Sequence, residues 1–401
     1  MKIDSRNNIH YIIEKNFTMN LNSSKINQIC ITLLFLISLN WNSIAQLTNE
    51  SLTYDGENRS YLFYQPNNYD GNSQIPLVLN FHGGSGTHNE QLSLSAMRGL
   101  ADNEQFFIAY PQALPDPSDG NSANWIHKGN TGVDDVFFVE ALINDLAINY
   151  NIDTSRVYAC GYSLGGEFCY ELGCRLSNKI AAIGVVSRTM STGSLEQCNP
   201  TQPIALISIL GTNDFIAPYE GISWNGVEYY LSAENTHNYW INYNGINNPP
   251  TITSLPNINT QDGSTVESYL WESNDGCIAV KHLKVIGGDH DWPGVTGNMD
   301  INTNNELWSF MSQFNSNGAI SCQTANISEK EQLELNIYPN PFDNELFFES
   351  DESKNIKIYN AHGQILLEYD NYNSRKLKLP LLSEGIYFLS INSKIKRLIK
   401  N

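Results

Sequence analysis

Val157-Tyr158-Ala159-Cys160-Gly161-Tyr162-Ser163-Leu164-Gly165-Gly166 decides the fold. Its apolar opening reads as a short strand, Gly-x-Ser-x-Gly as a tight turn, and the residues from Gly165 as the start of a helix. Gly161 and Gly165 leave room for neighbouring backbone, so such a turn can hold Ser163 exposed in a strained conformation. Ser163 is therefore a candidate nucleophile. A serine hydroxyl is weak alone and needs a base, usually histidine, oriented by a carboxylate. The plainer reading is a glycine-rich turn that only joins a strand to a helix.

Outward from this turn, strands and helices alternate. Leu77-Val78-Leu79-Asn80-Phe81 and Phe106-Phe107-Ile108-Ala109-Tyr110 read as buried strands. Val136, Val139, Leu142, Ile143 and Leu146 lie on one face of a helix over 136–150. Further strands are expected at 181–186, 204–210 and 282–286. The pattern predicts an α/β fold with a mostly parallel sheet covered on both faces. The stretch 215–265, rich in Asn, Tyr, Gly and Pro, reads as loops that shape a substrate surface. After a polar linker at 323–334 the period changes to two. Runs such as Glu345-Leu346-Phe347-Phe348 and Ile356-Lys357-Ile358-Tyr359, broken by turns, predict a small C-terminal all-β sandwich.

Three fragments supply partners for Ser163. Gly287-Gly288-Asp289-His290-Asp291-Trp292-Pro293-Gly294 follows a strand, and a histidine there can project over the C-terminal edge of the sheet. Asp214 in Gly211-Thr212-Asn213-Asp214 lies just beyond the 204–210 strand, although it could equally be a turn former. The chain order is nucleophile, acid, base: Ser163, Asp214, His290. Asp289 and Asp291 adjoin His290 and are poorly placed to reach its ring. In Phe81-His82-Gly83-Gly84-Ser85-Gly86, glycine lets backbone N–H groups of Gly83 or Gly84 approach a carbonyl oxygen, and the Leu164 N–H is the second donor. His82 is expected to brace that loop. A phosphate loop fits less well, because no Lys-Ser or Lys-Thr follows.

Charge and cysteines bound the partners and the compartment. With 42 acidic against 23 basic residues the net charge is -19, so nucleic acid and anionic membranes are not expected as partners. Lys25 and the apolar run 29–39, with Ser43-Ile44-Ala45 after it, fit a signal peptide over 1–45, for which Met19 would give a conventional start; no stable membrane anchor is expected. Cys160, Cys169, Cys174, Cys198, Cys277 and Cys322 lie beyond that segment, and an even number in an exported chain permits disulfides whose pairing the sequence leaves open. No cysteine or histidine spacing suits a metal, and no cofactor is expected.

Together these fragments, with Val133-Asp134-Asp135-Val136 and Asn124-Trp125, resemble the polyhydroxybutyrate depolymerase-like esterases, which include feruloyl and acetylxylan esterases. The resemblance spans about 50–315 and implies an α/β-hydrolase domain over 46–322 with Ser163, Asp214 and His290 as triad. Leu210 departs from it, since the family often has histidine before Gly-Thr. Asn336-Ile337-Tyr338-Pro339-Asn340-Pro341-Phe342, Ile358-Tyr359-Asn360-Ala361-His362-Gly363-Gln364 and the basic end 394–400 resemble a type IX secretion sorting domain over 335–401. That implies export across the outer membrane by the type IX machinery. A carbohydrate-binding sandwich is the competing reading of the tail.

The expected function is a secreted serine esterase acting on acetyl or feruloyl esters of plant polysaccharide or on polyhydroxyalkanoate. A serine peptidase of the same fold and a non-catalytic polysaccharide-binding protein are the alternatives. Trp125 and Trp292, each near a triad segment, are expected to offer flat faces to a sugar or phenolic ring.

Overall fold

The strand before Ser163 runs over Ile152–Tyr162 and lies inside a ten-stranded sheet. The computed structural model describes residues 46–125, 134–323, 337–348, 354–360, 364–392 and 394–400. The expected signal segment, nearly all of the expected linker and residues 361–363 of the tail lie outside them.

Along the chain the sheet strands are β1 (Gln46–Tyr54), β2 (Glu57–Gln65), β3 (Ile75–Phe81), β4 (Phe107–Pro111), β5 (Ile152–Tyr162), β6 (Ala182–Val186), β7 (Ala205–Gly211), β8 (Thr251–Ser254), β9 (Thr265–Glu272) and β10 (Ala279–Ile286). Their spatial order is β1-β2-β4-β3-β5-β6-β7-β10-β9-β8. All neighbours from β4 to β10 are parallel. Antiparallel pairs close both edges. The central strands β3, β4, β6 and β7 are buried along their whole length, which is why they read as near-continuous apolar runs, broken by Asn80 in β3 and Ser208 in β7.

The main helices are α1 (Asp135–Asn149), α2 (Leu164–Arg175), α3 (Ala233–Tyr243) and α4 (Thr303–Met311). Asp134 caps α1 by accepting the Val136 N–H, and Val136, Val139, Leu142, Ile143 and Leu146 form its buried face, as the periodicity implied. A Cβ on Gly184 of β6 would strike Leu307 of α4, while the Val185 side chain meets Gly166 of α2. Adjacent strand residues point to opposite faces, so α2 and α4 cover opposite faces of the sheet. Mixed, doubly covered and turning sharply at Ser163, this domain has the α/β-hydrolase fold.

The 215–265 stretch departs from the expectation of loops. It holds a hairpin, Ile222–Trp224 with Val227–Tyr230, then α3 and β8. Helix α3 escapes a periodicity search because its buried face is Ala233, Thr236, His237, Trp240 and Ile241, two of the five polar by type. Ser232 supplies its cap by accepting the Asn235 N–H.

Contacts divide the chain into two units at Ala325/Asn326. In the second, one sheet joins Ile337–Tyr338, Glu345–Phe348 and Lys376–Lys378. The other joins Ile365–Tyr372, Lys354–Asn360, Gly385–Ile391 and Lys394–Lys400. Leu346, Ile356, Ile358, Leu377, Leu389 and Leu398 form one core between them, so the tail is all-β. Disulfides link Cys174 to Cys198 and Cys277 to Cys322, while Cys160 and Cys169 are free and buried.

Candidate active site

Ser163 sits where β5 ends and α2 begins, at φ 54° and ψ −122°. A non-glycine residue with positive φ is strained. The neighbouring glycines make the turn possible. A Cβ on Gly161 would lie 2.3 Å from the Gly165 carbonyl oxygen, and one on Gly165 would lie 2.3 Å from that of Phe81. The Ser163 N–H donates to the Val186 carbonyl (2.9 Å), which ties the turn to β6.

The loops after β7 and β10 bring the partners. His290 Nε2 lies 3.0 Å from Ser163 Oγ, and His290 Nδ1 lies 2.7 Å from Asp214 Oδ2. Asp214 is buried, and its other oxygen accepts the Ile216 and Ala217 N–H groups at 2.9 and 2.7 Å. With one oxygen occupied by the turn, the other is aimed at the ring. Asp289 is engaged elsewhere, accepting the His290 N–H (2.8 Å). Backbone bonds lace the two loops together: Thr212 N–H to Val285 O at 2.9 Å and Asn213 N–H to Gly288 O at 2.8 Å.

The glycine loop after β3 borders the same turn. The Cβ position of Gly83 lies 3.4 Å from Ser163 Cβ, and that of Gly84 lies 2.7 Å from Leu164 Cδ1. Leu164 is the first residue of α2, where N–H groups have no acceptor within the helix. His82 is buried and braces the loop. Its Nδ1 meets the Gly83 carbonyl at 2.7 Å, and its Nε2 accepts the Ala113 N–H at 3.1 Å. This fixes the tautomer with the proton on Nδ1. Burial holds the imidazole below its ordinary range, so it stays neutral.

The two tryptophans do not stand as expected. Trp125 and Trp292 are 5% and 1% exposed, so neither offers a face to a ring in solution. Trp125 stacks on Phe168 (4.9 Å between ring centres) and donates Nε1–H to the His82 carbonyl (2.9 Å). Trp292 packs edge-on to Tyr162. Both are large apolar bodies beside a dense core, and burial wins. Exposed apolar side chains here include Phe215 and Ile216, beside Asp214, and Trp224, Val227 and Tyr229 on the hairpin.

Several polar residues near the site escaped the sequence reading. The Tyr162 hydroxyl donates to the His290 carbonyl (2.7 Å), tying the strand before Ser163 to the His290 loop. Burial, with nearby Asp291, pushes that phenol up to about 12, so it remains a donor. Glu167, one turn into α2, accepts from the Tyr230 hydroxyl at 2.9 Å and faces Arg188 at 3.4 Å. The Arg188 guanidinium lies 3.9 Å above the Tyr230 ring. This cluster anchors the hairpin to the helix that starts at Ser163. No short motif marks such long-range pairs.

Comparison with known proteins finds esterases. The chain is 30% identical over 273 residues to the bifunctional acetylxylan esterase/xylanase XynS20E of Neocallimastix patriciarum, covering 68% of this chain and 36% of that protein. It is 27% identical over 256 residues to feruloyl esterase B of Piromyces equi, covering 62% and 44% respectively. Its homologues are acetylxylan and feruloyl esterases. The chain thus spans less than half the length of either curated relative. Among solved structures, an acetyl xylan esterase from Aspergillus awamori aligns with a TM-score of 0.49 at 15% identity, covering 66% of this chain and 99% of that one. Residues 336–401 match the secretion system C-terminal sorting domain. No helix among the described residues is long and apolar enough to cross a membrane.

Proposed function

We propose that the chain is a secreted serine esterase that cleaves acetyl or feruloyl esters on plant polysaccharide. The observation that carries this reading is the hydrogen-bonded row from Asp214 Oδ2 through His290 to Ser163 Oγ, at 2.7 and 3.0 Å, on a strained turn. A binding protein needs none of it.

In the proposed mechanism Ser163 Oγ attacks the ester carbonyl carbon while its proton passes to His290 Nε2. Asp214 holds the Nδ1–H tautomer and stabilises the imidazolium. The carbonyl oxygen, now negative, is held by the Leu164 N–H and by N–H groups of the Gly83-Gly84 loop. Collapse expels the sugar hydroxyl, protonated by His290, and leaves an acyl group on Ser163. Water, deprotonated by His290, then releases the carboxylic acid and restores the serine.

The relatives' names support polysaccharide esters over polyhydroxyalkanoate and peptides. The sorting domain supports export through a type IX machinery, with the mature enzyme found outside the cell or on its surface. The test is turnover by purified protein of acetylated xylan, feruloylated arabinoxylan, short polyhydroxybutyrate and peptides. Release of acetate or ferulate is expected to dominate, and to fall at least about 10⁴-fold in Ser163→Ala. Faster cleavage of peptides, or full esterase activity in a folded Ser163→Ala protein, contradicts the proposal.

A further inference from the structure

Behind the acid and base loops lies a row of polar side chains that the proposed mechanism does not use. Ser208 on β7 and His282 on β10 are direct register partners on the two strands that lead to Asp214 and His290. Ser208 Oγ lies 2.9 Å from His282 Nδ1 and 2.7 Å from Nε2 of His237 on α3. His282 Nε2 lies 2.9 Å from the Tyr219 hydroxyl. Ser208, His237 and His282 are buried, and Tyr219 is half-buried.

The proton count gives the row a direction. A serine hydroxyl has one proton, so it donates to one imidazole and accepts from the other. Burial holds both imidazoles well below their ordinary range, and each is neutral with one N–H. Tyr219 O–H then donates to His282 Nε2, His282 Nδ1–H to Ser208 Oγ, and Ser208 O–H to His237 Nε2, or the whole row runs in reverse. Either way each link is made.

Such a row in a sheet core adds little net stability over apolar residues of the same shape. What it supplies is one fixed arrangement. Its outer end shows what is fixed. Residues 212 and 213 are held by backbone bonds to Val285 and Gly288. The far end of the same turn is held at Tyr219, whose carbonyl accepts the Ala233 N–H (2.8 Å) and whose hydroxyl meets His282. Asp214 lies between these two attachments.

We propose that Tyr219 is a positioning residue for the acid: its hydroxyl, docked on His282, fixes the turn that aims Asp214 Oδ2 at His290 Nδ1. The proposal rests on Asp214 serving His290 in the esterase proposed above. It makes the Tyr219–His282–Ser208–His237 row a support for the triad rather than part of it.

The test is a double-mutant cycle of Tyr219→Phe, which removes one oxygen, and Asp214→Asn, in the full chain with p-nitrophenyl acetate. Rates are taken per active site from the acyl-enzyme burst, so a partly unfolded preparation does not distort them. Tyr219→Phe is expected to lower kcat about 10- to 100-fold, the scale of an ångström-sized misplacement, with KM within about twofold. In the Asp214→Asn background the same change is expected to lower kcat by less than about twofold, because a residue acting through Asp214 has nothing left to position. Wild-type kcat in Tyr219→Phe, a rise in KM alone, or the same loss in both backgrounds overturns the proposal. Wild-type activity in Asp214→Asn overturns the triad reading with it, so the two failures are distinguishable.

Discussion

Gly165→Ala places the smallest possible perturbation at the point where the Ser163 turn passes the Gly83-Gly84 loop. The added Cβ would lie 2.3 Å from the Phe81 carbonyl oxygen and 2.5 Å from that of His82. Carbon and oxygen rest at about 3.3 Å or more, so one backbone must move by about 1 Å. Neither can give way as a flexible side chain would. The oxygens belong to the end of β3 and to the residue before Gly83, so the shift separates Ser163 from the expected oxyanion donors. Overpacking of this kind costs about 1–3 kcal/mol of stability. A displacement of about 1 Å between reacting groups lowers kcat on the order of 100-fold. The control is Gly99→Ala, on the helix Arg98–Glu104, where a Cβ meets nothing within 4 Å. That change is expected to leave kcat unaltered and to add up to about 1 kcal/mol through helix propensity. Thermal melting and p-nitrophenyl acetate turnover read both variants. A Gly165→Ala protein with wild-type melting and kcat would refute the reasoning that close backbone approach builds this site.

Other consequences are as specific. Trp224 is 70% exposed on the hairpin anchored to α2, so Trp224→Ala is expected to lower kcat/KM on feruloylated arabinoxylan about three- to tenfold and leave p-nitrophenyl acetate unchanged; equal effects on both would remove it from polymer binding. His237, pushed down to about 3 by burial, stays uncharged in the folded protein where the unfolded chain binds a proton. Folded stability is therefore fully present above pH about 6.5 and falls by up to about 1.4 kcal/mol per unit below it. A His237→Asn protein should show a shallower loss of Tm between pH 6.5 and 4.5, and an unchanged slope would contradict the assignment. A chain of residues 46–322 keeps all of the candidate site residues and both disulfides, and is expected to match the full chain in p-nitrophenyl acetate kcat. A large loss would give the tail a role in hydrolysis.

The sequence made the central sheet legible because β3, β4, β6 and β7 are buried on both faces and written almost wholly in apolar residues. Ser163, Asp214 and His290, which the structure places in one hydrogen-bonded row, stood out as candidates because each follows a strand on a turn with its own glycine. Strands β1 and β2 were not, since β1, at the edge of the sheet, is written mostly in polar residues and β2 opens with the polar run Glu57-Asn58-Arg59-Ser60. Helix α3 was hidden by a buried face that includes Thr236 and His237. The errors at Trp125 and Trp292 have one cause. Nearness in sequence to a triad segment placed them beside the site, but nothing in a single sequence tells whether a large aromatic faces a cleft or a core. The Ser208–His237–His282–Tyr219 row was unreadable for a related reason, because its members come from four separate elements.

The central claim is that Ser163 carries the acyl group between two half-reactions. Intact and peptide mass spectrometry of wild-type protein, acid-quenched during turnover of an acetyl ester, tests it directly. A single acetyl adduct on the peptide containing Ser163, absent from Ser163→Ala, is expected. Sustained turnover with no adduct, or an adduct on another residue that persists in Ser163→Ala, would contradict it.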